Sequence, residues 1–118
     1  MAELDKSLLH LEMIVETIRK IQKHIAKLDE ASFVEDAEAI DVFAFRLSQI
    51  GEAAGKLPAE FKARNADIPW KDVVGLRNLI VHEYRRVIPL RLWETANNDL
   101  APLLEACVTE LQRLEGNP

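Results

Sequence analysis

LSQIGEAAGKLP occupies residues 47–58, with Gly51 and Gly55 one helical turn apart, Ala53 and Ala54 between them, and Pro58 closing the stretch. A glycine inside a helix costs about 1 kcal/mol relative to alanine. A helix carrying two on successive turns must gain from the missing side chains. The gain expected is close approach by the backbone of a second helix. The stretch therefore predicts helices packed tightly on helices.

The pattern extends outward in both directions. Within residues 33–57, Ala37, Ile40, Phe43, Ala44, Leu47, Ile50, Ala54 and Leu57 recur at three-four spacing, and Pro58 ends the run. Residues 4–28 repeat that spacing at Leu4, Leu8, Leu11, Ile14, Ile18, Ile21, Ile25 and Leu28, which predicts a long amphipathic first helix. Ser32 or the acids before it are placed to cap the second helix. PAEFKARNADIP reads as an irregular connection with one helical turn, and Pro69 opens a third helix that runs to about Tyr84, with Asp67 just outside it. RRVIP breaks that helix. Pro89 opens a fourth, along Leu92, Trp93, Ala96, Leu100, Leu103, Leu104, Cys107, Leu111 and Leu114, and Pro102 within it predicts a kink. EGNP reads as a frayed tail. Residues 1–118 thus form one all-α domain, an up-and-down four-helix bundle with its fourth helix kinked near Pro102.

Composition agrees with that class. Glycine and proline number only 4 and 5 in 118 residues, and 48% of the chain is apolar. One cysteine, Cys107, excludes an internal disulfide and suits a reducing cytoplasm. MAELDKSLLHLE carries acids where a signal peptide needs basic residues, and no uncharged run approaches the ~20 residues of a membrane span. A cytoplasmic protein is expected. The net charge of −5 argues against a general nucleic-acid coat. Charge is uneven, however: residues 62–91 hold seven lysines and arginines against three acids. One local cationic site on an acidic body can still attract a polyanion.

That basic segment contains GLRNLIVHEY, residues 75–84. At about 100° per residue, Trp70, Val73, Val74, Ile80, Val81 and Tyr84 fall within about 60° of Arg77, a stripe expected to be buried. An arginine in its middle needs a partner or a cleft, because an isolated buried guanidinium is very costly. Glu52 on the second helix is a candidate mate. Asn78 and His82 are four residues apart, close enough for the amide to orient the imidazole, while Gly75 leaves room on the same flank. His10 and His24 lack the neighbours of a zinc site, and no metal or cofactor is expected. Cys107 reads as an inert core residue. Arg19, Lys20, Lys23 and Lys27 form a basic helix face, either solvated or an extension of an RNA-binding track.

LRNLIVHEY resembles the Arg, four residues, His, one residue, Tyr arrangement of the HEPN superfamily, in particular its HepT toxin branch. LSQIGEAAGKLP, IPWKDVVGLRNLIVHEY and LWETANNDLAPLLEA resemble that branch's signatures in the same order, over nearly the whole chain. The resemblance implies a homodimeric, metal-independent endoribonuclease toxin. Arg77 and His82 would be catalytic, with Asn78 and Glu52 supporting, and both protomers would line one cleft. It also implies a partner, a nucleotidyltransferase antitoxin of the MntA type that attaches AMP to Tyr84 and silences the toxin. Where the branch follows the tyrosine with an aromatic and then an acidic residue, this chain has Arg85, Arg86 and Ile88. The two arginines are candidate RNA contacts. The alternative function is a non-catalytic, nucleotide- or substrate-binding partner subunit of a nucleotidyltransferase.

Overall fold

The computed structural model describes residues 2–116, with side chains from Lys6 onward. Seven α-helices account for most of them: α1 (Ala2–Ile25), α2 (Glu30–Phe33), α3 (Ala37–Gly55), α4 (Ala59–Arg64), α5 (Trp70–His82), α6 (Pro89–Asn98) and α7 (Leu100–Gly116). A 3-10 turn, Tyr84–Arg86, follows α5, and no strand occurs among the described residues.

The all-helical class expected from periodicity holds, with boundaries set by local capping. The anticipated second helix, residues 33–57, is α3 and starts at Ala37, with Phe33 ending a separate short helix, α2. Asp29 caps α2 by accepting from the Ser32 amide at 2.8 Å, so Ser32 is capped and does not itself cap. Asp36 caps α3 by accepting from the Ala39 amide at 3.1 Å. α4 supplies the turn expected in the connection, and Trp70 fastens it to α5: its indole Nε1 donates to the carbonyls of Asn65 at 3.0 Å and Lys62 at 3.2 Å. The anticipated fourth helix is also two helices. α6 ends at Asn98, and Pro102 stands in the first turn of α7. Proline there lacks the amide that would bond the Asn98 carbonyl, so the ladder opens ahead of it. α7 includes Glu115 and Gly116 of the tail expected to fray, whose last two residues lie outside those described.

The core runs along α1 (Leu11, Ile14, Ile18, Ile21), α3 (Phe43, Leu47, Ile50, Ala54) and α7 (Leu100, Leu103, Cys107). Phe33 packs between Phe43 and Trp93, at ring distances of 4.8 and 5.3 Å. Burial pushes the Cys107 thiol up to about 12, with Glu110 adding to the shift, so the cysteine is an inert core residue. α1 packs on α3 and α7, whereas α5 packs chiefly on α3. The long helices are thus layered α5–α3–α1–α7, with α5 on the outside. No helix among the described residues is long and apolar enough to cross a membrane.

That layering corrects the stripe expected on α5. Leu76 and Ile80 carry its burial, while Val81 is 50% and Tyr84 41% exposed. Arg77 stands at the boundary between the buried and open faces rather than in the middle of a core stripe. The periodicity located an apolar face; it did not tell a core surface from one left open in a single chain.

Candidate active site

Gly51 places the site. A Cβ built there would overlap Arg77 Cβ and lie 2.9 Å from the Val73 carbonyl oxygen, so α5 approaches α3 as closely as a missing side chain allows. Gly55 is looser, with Val74 Cγ2 at 3.7 Å. The close approach expected from the glycine pair is therefore concentrated at Gly51, directly under Arg77.

With its stem fixed there, the Arg77 side chain reaches along α3. Its Nη2 meets Glu52 Oε1 at 2.6 Å, and its Nη1 donates to Asn78 Oδ1 at 3.0 Å. The guanidinium side chain remains 28% exposed. Glu52 also receives Lys56 Nζ at 3.2 Å on its other oxygen. The Lys56 hydrogen bond, followed by the charge of Arg77, holds the Glu52 carboxyl below the usual carboxylate range. Glu52 thus orients the guanidinium while leaving part of it open to solvent.

His82 is the last residue of α5 and is exposed, with no hydrogen-bond partner among the described residues. The Asn78 amide oxygen serves Arg77, so the expected Asn78–His82 contact is replaced by an Arg77–Asn78 contact. Arg77 and His82 are five residues apart, about 140° around the helix. One chain therefore presents both groups at its surface without converging them on one point. Gly75, on the same flank as His82, has open space above it.

The 3-10 turn after α5 brings Tyr84 back across α3, where its hydroxyl donates to Asp41 Oδ1. Desolvation, then that carboxylate, pushes the phenol up to about 12, so it stays protonated at neutral pH. Asp41 is a functional candidate that sequence reasoning missed. Its signal was its position: Asp41, Phe45 and Glu52 fall within about 40° of one another on α3. Arg86 pairs with Glu83 at 3.1 Å, whereas Arg85 is exposed and has no partner among the described residues.

Two cross-helix ties, Tyr84–Asp41 and Arg77–Glu52, therefore bracket an open surface. α3 contributes Phe45, 60% exposed, between Asp41 and Glu52; α5 contributes Val81 between Arg77 and Tyr84. No group of three or more histidine, cysteine or carboxylate side chains able to hold a metal converges among the described residues. A cavity of about 460 Å³ between α5 and α6, floored by Leu47, Val73 and Leu76, contains none of Arg77, His82 and Tyr84.

Comparison with known proteins gives this surface its context. The family described as "Ribonuclease HepT-like" matches residues 8–110. "Putative RNase TTE0752" of Caldanaerobacter subterraneus subsp. tengcongensis is 32% identical over 90% of this chain and 94% of its own length. "Probable ribonuclease HepT" of Thermococcus cleftensis is 30% identical over 80% of this chain and 86% of its own. "Gamma-glutamylcyclotransferase and putative RNase MJ0434" of Methanocaldococcus jannaschii is 28% identical over 92% of this chain, which spans only 49% of that longer protein. No solved structure matches. With the family match spanning all of α3 and α5, and the first two of these relatives covered over 94% and 86% of their lengths, the chain belongs to the ribonuclease HepT-like family of the HEPN superfamily.

Proposed function

We propose that this protein is a metal-independent endoribonuclease that works as a homodimer. Arg77 and His82 of the two protomers would meet in one cleft. The observation that carries the reading is an oriented, partly open guanidinium on the same helix as an exposed imidazole that has no partner among the described residues, beside the open Phe45–Val81 surface. A second copy covering that surface would bury exposed apolar area and place a second Arg–His set opposite the first.

The chemistry follows from the groups. The imidazole of His82 takes the proton from an RNA 2′-hydroxyl, and the freed oxygen attacks the adjacent phosphorus. Arg77 donates to the non-bridging oxygens as negative charge grows on the phosphorane. The second protomer's imidazole, or a water, protonates the departing 5′-oxygen. The products are a 2′,3′-cyclic phosphate and a 5′-hydroxyl. Glu52 and Asn78 hold Arg77 in place, so they act on the reaction through that residue. Arg85 is free to contact a flanking phosphate.

Tyr84 is the candidate acceptor of AMP from a cognate nucleotidyltransferase antitoxin. Its hydroxyl sits on the rim of the same surface, where an added nucleotide would put negative charge and bulk at the mouth of the cleft and exclude RNA. Toxicity, its silencing by the antitoxin and action in the cytoplasm belong to this proposal.

The direct test is RNA incubated with purified protein in excess chelator. Wild-type protein is expected to cleave it, leaving cyclic-phosphate ends, and folded Arg77→Ala and His82→Ala variants to lose at least about a hundredfold in rate. Intact RNA with the wild-type protein would overturn the enzyme reading and favour a non-catalytic nucleotide-binding subunit. A monomer by sedimentation would overturn the composite cleft. Intact mass after incubation with the cognate transferase and ATP tests Tyr84, and an unmodified Tyr84 would remove that part.

A further inference from the structure

The end of α1 and the turn after it carry a charge arrangement that the proposed chemistry leaves unused. Lys20, Lys23 and Lys27 are all exposed, and they line a depression of about 340 Å³ together with His24 and, from α3, Arg46. No acidic and no apolar residue among those described lines it. Lys20 alone has a carboxylate, Glu16 at 3.6 Å; Lys23, Lys27 and Arg46 have none among the described residues. Arg46 is half-buried and turned toward this side, its Nη1 donating to His24 Nδ1 at 3.4 Å, and the His24 ring rests edge-on against Phe43 at 5.0 Å.

In a chain with 20 acids and 15 lysines and arginines, chance would scatter carboxylates among these cations. Like charges one turn apart, such as Lys20 with Lys23 on α1, destabilise a helix. A cation near the end of α1 complements its dipole, which accounts for Lys23. It does not account for Arg46, which arrives from another helix. The depression also continues toward the candidate active site. Lys20 and Arg46 line the adjoining hollow, together with Asp41, the residue that accepts from Tyr84.

We propose that Lys20, Lys23, Lys27 and Arg46 form an RNA-backbone groove that holds the phosphates flanking the scissile one, so that a strand leaving the Arg77–His82 cleft crosses α3 onto α1. This extends the ribonuclease reading and rests on it for the direction of the strand. Lys20 and Lys23 lie one turn apart near the end of α1 and Lys27 stands in the turn beyond Ile25, a row of cations placed to follow a strand along its backbone. Binding here reads charge and spacing rather than bases, so the groove adds affinity with little sequence preference.

The test is RNA binding separated from cleavage. Fluorescence anisotropy with a labelled single-stranded RNA is measured for His82→Ala protein, with and without Lys20→Ala/Lys23→Ala/Lys27→Ala, over a range of salt. Cleavage is measured with His82 intact. Arg46→Ala is tested separately because its side chain is half-buried, and circular dichroism confirms folding of each variant. The triple variant is expected to bind about tenfold or more weakly. Its dependence of log K on log salt should be shallower by about 2, at roughly 0.7 per phosphate contact on a single strand, and KM for cleavage should rise. Cleavage by the wild type with unchanged affinity and salt slope in the triple variant would overturn the groove and leave the enzyme reading standing. Salt-dependent binding lost in the triple variant, without cleavage by the wild type, would uphold the groove and sink the enzyme. If neither binding nor cleavage occurs, both fall.

Discussion

Replacing Gly51 by alanine tests whether the seam under Arg77 is as close as described. Alanine in a helix interior gains about 1 kcal/mol of propensity. Against that, the new Cβ would overlap Arg77 Cβ and stand 2.9 Å from the Val73 carbonyl oxygen. Neither atom is the far end of a flexible side chain. Relief requires α5 to move away from α3, opening the contact that buries Leu76 and Ile80. Overpacking typically costs 1–3 kcal/mol, and a backbone-borne clash belongs near about 3 kcal/mol. The net loss is then about 2 kcal/mol. With an unfolding entropy of ~2.1 cal/mol/K per residue, thermal unfolding followed by circular dichroism should shift down by about 8 °C. Gly55→Ala is the internal control: its Cβ would meet Val74 Cγ2 at an ordinary 3.7 Å, so its Tm should hold or rise slightly. Arg77 rides on the displaced helix. Since a misplacement of about 1 Å can cost on the order of a hundredfold in rate, cleavage by Gly51→Ala should fall even where the variant remains folded. A Gly51→Ala protein as stable as Gly55→Ala would refute the reasoning.

Three further outcomes follow from the same contacts. Tyr84 is the chain's one tyrosine. A phenol raised to about 12 contributes stability below its unfolded pKa of about 10 and loses it as pH climbs toward 12, so tyrosinate absorbance should appear about two pH units late; Asp41→Asn should move the midpoint part-way back, with the desolvation share remaining. Glu110 is gripped by Arg113 at 2.7 Å and Arg64 at 3.0 Å, and the Arg113 hydrogen bond is the main cause of its lowered pKa. A lowered carboxylate stabilises the fold above the unfolded value of about 4.3 and loses that contribution as pH falls below it, so Glu110→Gln should flatten the decline of Tm with acidification in that window. Cys107, buried with its thiol raised to about 12, should resist iodoacetamide in the folded protein and react once denaturant unfolds it; alkylation at a free-thiol rate under native conditions would contradict its burial.

The parts of this structure that depend on neighbours in sequence were legible from it. Three-four spacing gave the long helices because each buries one stripe, and the glycine pair gave the closeness of α3 and α5 because only a missing side chain permits it. Glu52 as the mate of Arg77 was within reach, since an arginine on an apolar helix needs a carboxylate nearby. The short helix α2 and the later start of α3 at Ala37 were hidden, because caps at Asp29 and Asp36 compete on nearly equal terms with a continuous stripe. Asp41 was hidden for another reason: its bond to Tyr84 spans 43 residues and depends on the 3-10 turn after His82. The face of Val81 and Tyr84 misled because periodicity reports that a surface is apolar without saying what covers it.

The outer position of α5 has a bearing on how the molecule breathes. A helix held chiefly by one neighbour can detach at a free-energy cost below that of global unfolding, so α5 and the turn behind it can open as a unit while the α1–α3 core stays shut. Amide hydrogens of residues 70–86 would then exchange ahead of those in the α1 core. Anything that clamps this segment, whether a strand of RNA, a second protomer or a nucleotide on Tyr84, would deepen its protection selectively. The groups proposed to carry the reaction thus ride on an outer helix whose order can be changed from outside.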